Sequence, residues 1–270
     1  MDFWTIFYNV FDITMILLVG YNTVRTLYLK RFTTTMPAVF FAFAAGTILA
    51  GDVYWHAHLV INDLESPEFS AAEIAFAGAF MLLGSTIIAA FQTYDIKIKY
   101  TVPGMIFGIA FVTANTLWWV GWNGGWLKDI ITGVGVAFLV CTCIGAIMTL
   151  NMFSKKILIT VTAAFVLLCV AETGTLFVSG IAVIILDIIR YIIWAGLLVF
   201  FVVKAVIFLV QKKEPESITV SITAYMIAVL IMYLSTDTIY MIANAVYNLI
   251  FLLVMLGVKQ LHDEKEVQSV

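Results

Sequence analysis

Nine apolar stretches, each long enough to cross a bilayer, follow one another along this chain with only short polar breaks between them. They run over about 3–24, 37–61, 71–93, 103–122, 130–152, 157–177, 180–210, 217–235 and 238–258. A hydrocarbon layer of roughly 30 Å asks for about 20 apolar residues in a helix, which satisfies its own backbone where no water can. The pattern predicts an all-α polytopic membrane bundle of about nine transmembrane helices. The breaks carry loop punctuation at Pro37, Pro67, Pro103, Asn123-Gly124-Gly125, Ser179-Gly180 and Pro215. Spans and loops use nearly all of the 270 residues: one transmembrane domain over 1–260 and a short tail over 261–270, with no room for a soluble domain. Only 11% of residues are charged, against about a quarter in a soluble domain.

The basic residues give the orientation. Alternate loops hold Arg25, Lys30 and Arg31; Lys97 and Lys99; Lys155 and Lys156; Lys204, Lys212 and Lys213; and Lys259 and Lys265, which is twelve of the fourteen Lys and Arg residues. The opposite loops hold only Lys128, and Arg190 lies inside a span. Cytosolic loops are the basic ones, so the N-terminus and the acidic loop 62–68 are expected outside and the C-terminus in the cytosol. The tightest joint is Ser235-Thr236-Asp237. If one interrupted helix crosses it, the count is eight and the tail faces outward. The N-terminus lacks a basic leader and a cleavage site, so the first span is expected to act as its own insertion signal.

Ionisable residues inside spans are costly and are kept where they pair, meet water or work. Asp12, Asp52, Glu172 and Asp187 lie within spans, with Glu73 and Asp237 at span edges. In the nine-span topology all six fall toward the outer face. Tyr54, Trp55, Trp118, Trp119, Trp122, Trp126 and Trp194 lie at the same level. Carboxylates beside aromatic faces suit a cationic head group, through charge and cation–π contact. An interfacial aromatic belt with solvated carboxylates is the alternative. The candidate ligand-binding set is Asp12, Asp52, Trp55, Glu73, Asn115, Trp118, Glu172, Asp187 and Arg190. Asp187 and Arg190 are three apart and can neutralise each other on one helix face. Asp52 and His56 are four apart and can act as an acid–base pair. Asn244 and Asn248, also four apart, are expected to bond to neighbouring helices, and the small residues along 41–51 and 71–84 to pack helices closely.

Other chemistries have no signature. No phosphate loop, serine elbow, haem-ligating histidine pair or paired-cysteine metal motif is visible, so neither cofactor nor metal is expected. Cys141, Cys143 and Cys169 read as small buried thiols. No basic stripe points to nucleic acid.

The stretch Gly51-Asp52-Val53-Tyr54-Trp55, followed by Ser66-Pro67-Glu68-Phe69-Ser70-Ala71-Ala72-Glu73 and an apolar span up to Ser85, resembles the membrane-embedded input modules of bacterial diguanylate cyclases and sensor kinases. That resemblance implies a sensor in a bacterial cytoplasmic membrane. With eleven residues after Lys259, the chain is expected to act through a membrane signalling partner. Gly51-Asp52 together with Ser235-Thr236-Asp237 also resembles the lysoplasmalogenase-like family. That second resemblance implies a lipid hydrolase with Asp52 and Asp237 as catalytic candidates; His56 is a further candidate through its four-residue spacing from Asp52 alone. The leading expectation is an outward acidic and aromatic pocket for a small cationic or amphipathic ligand. A lipid hydrolase and a transporter are the alternatives, and whether the chain is an enzyme stays open.

Overall fold

A computed structural model describes residues 35–61, 70–123, 126–233, 235 and 237–268, with scattered positions between 10 and 24. Eight helices account for nearly all of it: α1 (Met36–Ile61), α2 (Ala71–Thr93), α3 (Val102–Asn123), α4 (Trp126–Leu150), α5 (Lys155–Thr175), α6 (Ile181–Val210), α7 (Glu214–Tyr233) and α8 (Asp237–Gln268). There is no strand among the described residues. All eight helices are long and apolar enough to span a membrane, and they correspond to the second through ninth expected spans. Most of the first expected span, including Asp12, and the loop 62–68 lie outside the described residues. The positions described between 10 and 24 are helical. A Cβ on Gly20 would sit 3.3 Å from Leu49, which puts Gly20 beside α1.

Local chemistry sets the helix ends. Ser70 and Glu73 form a capping box at the start of α2: the Ser70 backbone N–H donates to the Glu73 carboxylate at 2.8 Å, and Ala72 N–H donates to Ser70 Oγ at 3.2 Å. Pro37, Pro103 and Pro215 occupy first turns, where a missing N–H costs nothing. At the lysine-rich end, α2, α4 and α6 stop in the same way. Asp95, Asn151 and Lys212 take left-handed backbone conformations. The next residue's N–H then reaches back to a carbonyl of the last turn: Ile96 to Phe91, Met152 to Ile147 and Lys213 to Phe208. This is the Schellman stop, and the apolar Ile96 and Met152 pack on the core beyond it.

The joint at Ser235 is a true break. α7 and α8 pack against each other antiparallel: Tyr225 meets Tyr247 edge-on and Phe251 at a tilt, with ring centroids 5.7 and 5.5 Å apart, while a Cβ on Gly257 would meet Ile218 at 3.3 Å. The end of α8 therefore lies beside the start of α7, on the same face as the other lysines. Some ends differ from expectation, and α7 starts at Glu214 rather than at 217. α8 continues to Gln268 through the expected tail, since no Gly or Pro follows Gly257 to stop it. α4 starts four residues early, at Trp126 rather than at 130, and brings Asp129 into its first turn, buried.

α7 is the axis of the bundle. Its residues Ile218, Val220, Ile222, Ala224, Ile227 and Ala228 are wholly buried. The other helices pass around it in the order α1, α2, α4, α3, α5, α6, α8 and back to α1. Of these α2, α4, α6 and α8 touch α7, while α1, α3 and α5 stand further out. Between helices in lipid the hydrophobic effect offers little, so close approach of backbones does the work. On Gly135 of α4 a Cβ would lie 2.6 Å from the Ala77 carbonyl oxygen of α2. α1 and α2 meet at Gly51, where a Cβ would come 3.0 Å from the Phe76 ring, and at Gly78, where it would lie 4.0 Å from Thr47. α6 turns Ile181, Ile184, Ile188, Ile192 and Val199 outward. A continuous apolar face of that length is stable against lipid, not water.

Candidate functional site

The α5–α6 hairpin builds a polar cluster inside the apolar bundle. α5 is closed by Leu176 and Phe177 N–H bonds to the Thr173 and Gly174 carbonyls, and Gly180, with φ of 66°, starts α6. A Cβ on Gly174 would stand 3.1 Å from Leu186, so glycine lets the two helices close here. That closeness sets Glu172, with no exposed surface, against Trp194, whose indole N–H donates to Glu172 Oε1 at 3.0 Å. The second carboxylate oxygen, Oε2, is buried without a hydrogen-bond partner.

Arg190 lies one turn before Trp194 on α6, 4% exposed, and interacts electrostatically with Glu172. Its Nη2 pairs with Asp187 at 3.2 Å, as the three-residue spacing predicts, while its Nε and Nη1 have no hydrogen-bond partner. The guanidinium lies over the rings of Trp118 and Tyr191, with its carbon 5.0 and 4.8 Å from their centroids. Trp118 of α3 donates to Thr175 Oγ1 at 2.9 Å, and that hydroxyl donates to the Glu172 carbonyl at 2.7 Å. Asn115 lies on the Phe111–Trp118 face of α3. It is buried, its Nδ2 bonds to the Phe111 carbonyl at 3.0 Å, and its Oδ1 has no partner. Two acceptors and two donors are thus buried without partners. With Glu172 and Asp187 ionised and Arg190 protonated, the cluster carries a formal charge of −1. Uncompensated charge in such surroundings is expensive.

Four of the expected residues, Trp118, Glu172, Asp187 and Arg190, come together in this way, and Asn115 lies one turn before Trp118 on α3. Asp52, Trp55 and His56, all half-buried, lie on α1 and Glu73 on α2, where its carboxylate serves the helix cap. α1 packs on α2 and α8, and α5 on α3 and α6, so the two groups occupy different parts of the ring. The Asp237 side chain and Asp12 lie outside the described residues. Sequence reasoning placed Trp194 in the aromatic level but missed its bond to Glu172, and it missed Thr175 and Asp129. Asn248 also departs from expectation. It donates to the backbone and side-chain oxygens of Asn244 in its own helix, each at 2.9 Å. Glu214 is buried at the lysine-rich end and accepts from Tyr94 at 3.3 Å, so buried acids are not confined to one face. Among the described residues no three His, Cys, Asp or Glu side chains could together hold a metal ion.

A cavity of about 460 Å³ lies where α3 and α5 stand off α7. Its wall includes Phe107, Phe111, Val140, Phe165, Phe201 and Met226. Phe111 and Phe165 also pack edge-on to Trp194, at 6.3 and 6.4 Å, so an aromatic layer separates the cavity from the polar cluster. Compared with protein-family models, curated proteins and solved structures, the chain matches none.

Proposed function

We propose that this multi-pass membrane protein binds a small cationic or amphipathic molecule, and that the Glu172 cluster receives its cationic group. The observation that carries the reading is the buried Glu172 carboxylate, with one oxygen held by Trp194 and the other unpartnered. A ligand ammonium compensates the formal negative charge of the cluster, and the faces of Trp118 and Tyr191 already accept a cation in Arg190. By the positive-inside rule the cluster lies toward the outer face of a bacterial cytoplasmic membrane. Ligand capture between α5 and α6 would then bias helix packing that a signalling partner in the membrane can read.

The test is thermal unfolding of purified protein with choline, tetraethylammonium or an uncharged isostere of choline. The cations raise the midpoint of wild type, and Glu172→Gln abolishes the shift while its own unfolding remains cooperative. A ligand at a hundred times its dissociation constant contributes about 2.7 kcal/mol, which such a scan resolves. Equal shifts from the cations and the isostere, or an unchanged shift in Glu172→Gln, would overturn the reading.

A further inference from the structure

We infer that the cavity between α3, α4, α5, α6 and α7 is a second site, for one acyl chain of an anionic lipid whose head group meets the lysines at its mouth. Size and chemistry point to hydrocarbon. Its volume of about 460 Å³ is roughly three times that of an apolar cavity known to stay dry and take up benzene. α5 gives it a full helical stripe, Leu158, Val161, Thr162 and Phe165. Its polar lining is three threonine hydroxyls and the Cys143 thiol. Thr223 donates to the Thr219 carbonyl at 2.8 Å and is hydrogen-bonded with Cys143, so the two deepest of these groups are already engaged, while Thr101 and Thr162 are exposed. Such a wall has little to offer a polar ligand, and lipid tails are the abundant apolar molecules around it.

The mouth supplies the head-group chemistry. Thr101 and Pro103, both exposed, and Leu158 lie at the lysine-rich end of the lining. Lys97 and Lys99 precede Thr101 by four and two residues, and Lys155 and Lys156 occupy the first turn of α5, just before Leu158; all four are exposed. The segment carrying the first pair is clamped to α4. Lys99 N–H donates to Thr149 Oγ1 at 2.8 Å, and Ile98 and Tyr100 crowd Gly145, where a Cβ would come within 2.8 Å of Ile98. Ser154 caps α5 by accepting from Ile157 N–H at 3.4 Å. Two lysines in a first turn oppose the helix dipole, which favours an anion there. A phosphate at that point relieves both the like-charge contact and the unused N–H groups. Basic pockets between spans suit anionic head groups in this way.

The experiment uses delipidated protein in a neutral detergent and follows its unfolding midpoint with phosphatidylglycerol, phosphatidylcholine or glycerol phosphate. Phosphatidylglycerol stabilises wild type more than phosphatidylcholine does, and glycerol phosphate does nothing. Lys155→Gln with Lys156→Gln removes the preference between the lipids. Val161→Trp fills the cavity and removes stabilisation by both; Thr162→Trp, at an exposed position of the lining, does the same if Val161→Trp does not fold. Equal effects of the two lipids on wild type overturn the inference. So does stabilisation by glycerol phosphate alone, which would mark an anion site with no chain, or a lipid response that survives filling. Glu172→Gln leaves the lipid response intact, so this site and the cation site fail separately.

Discussion

A carboxylate with no exposed surface is stable in an apolar bundle only through its immediate partners, and for Glu172 the one held at hydrogen-bond distance is the Trp194 indole. Trp194→Phe should therefore cost about 1–3 kcal/mol for the deserted acceptor, besides the packing lost on Phe111 and Phe165. The double variant Glu172→Gln, Trp194→Phe should lose less than the sum of the single changes, since a neutral amide suffers less from losing the donor. Thermal midpoints of the four proteins decide it, and strict additivity would show that the bond contributes nothing. At this scale much was visible beforehand. An ionisable residue in an apolar run announces itself singly, which is how Glu172, Asp187 and Arg190 stood out. Asp187 and Arg190 were also readable as a pair, because three residues of helix bring them together whatever surrounds them. That Trp194 rather than another aromatic reaches Glu172 depends on the angle of the α5–α6 hairpin, which no local pattern records.

Between elements, the contacts that matter are made by residues without side chains. Gly135 and Gly46 make a controlled pair, since a Cβ meets the backbone of Ala77 at 2.6 Å in the first case and nothing within 4 Å in the second. Gly135→Ala must push α4 away from α2, and a loss of about 2–3 kcal/mol is expected from the disturbed packing. Gly46→Ala should be neutral or gain up to about 1 kcal/mol, from the better helix former. Unfolding midpoints of the two variants check both signs, and equal effects would mean that α2 and α4 are not tightly apposed. Spans were legible because length and apolarity are properties of a single helix. Their ends were less so: Lys128-Asp129 interrupts the apolar run at the start of α4, and α7 starts on the polar Glu214-Pro215-Glu216. α7 also hides its nature. Ser217, Thr219, Ser221 and Thr223 alternate with the period of a strand, yet in the helix Thr219 and Thr223 turn their hydroxyls onto carbonyls one turn back.

For the molecule as a whole, the lysines make a directional prediction. Cysteine placed at exposed Val178, in the α5–α6 turn, should react with a membrane-impermeant thiol reagent added to intact cells, in a background lacking the three native cysteines. Cysteine at Asn151, beside the start of α5, should react only after lysis; the reverse pattern would invert the topology. Which helices are neighbours was the part least legible in the sequence. The acids on α1 and α2 and those on α5 and α6 share a level but not a site, and the cavity wall was indistinguishable from ordinary core because only the assembled bundle shows that α3 and α5 stand away from α7. The same ring has a consequence in time. The axial helix leaves the ribosome after α1 to α6, so these six must wait in the membrane as an open palisade, with the surface meant for α7 facing lipid. α8, arriving after α7, fills the gap between α6 and α1, and only then is the axis enclosed.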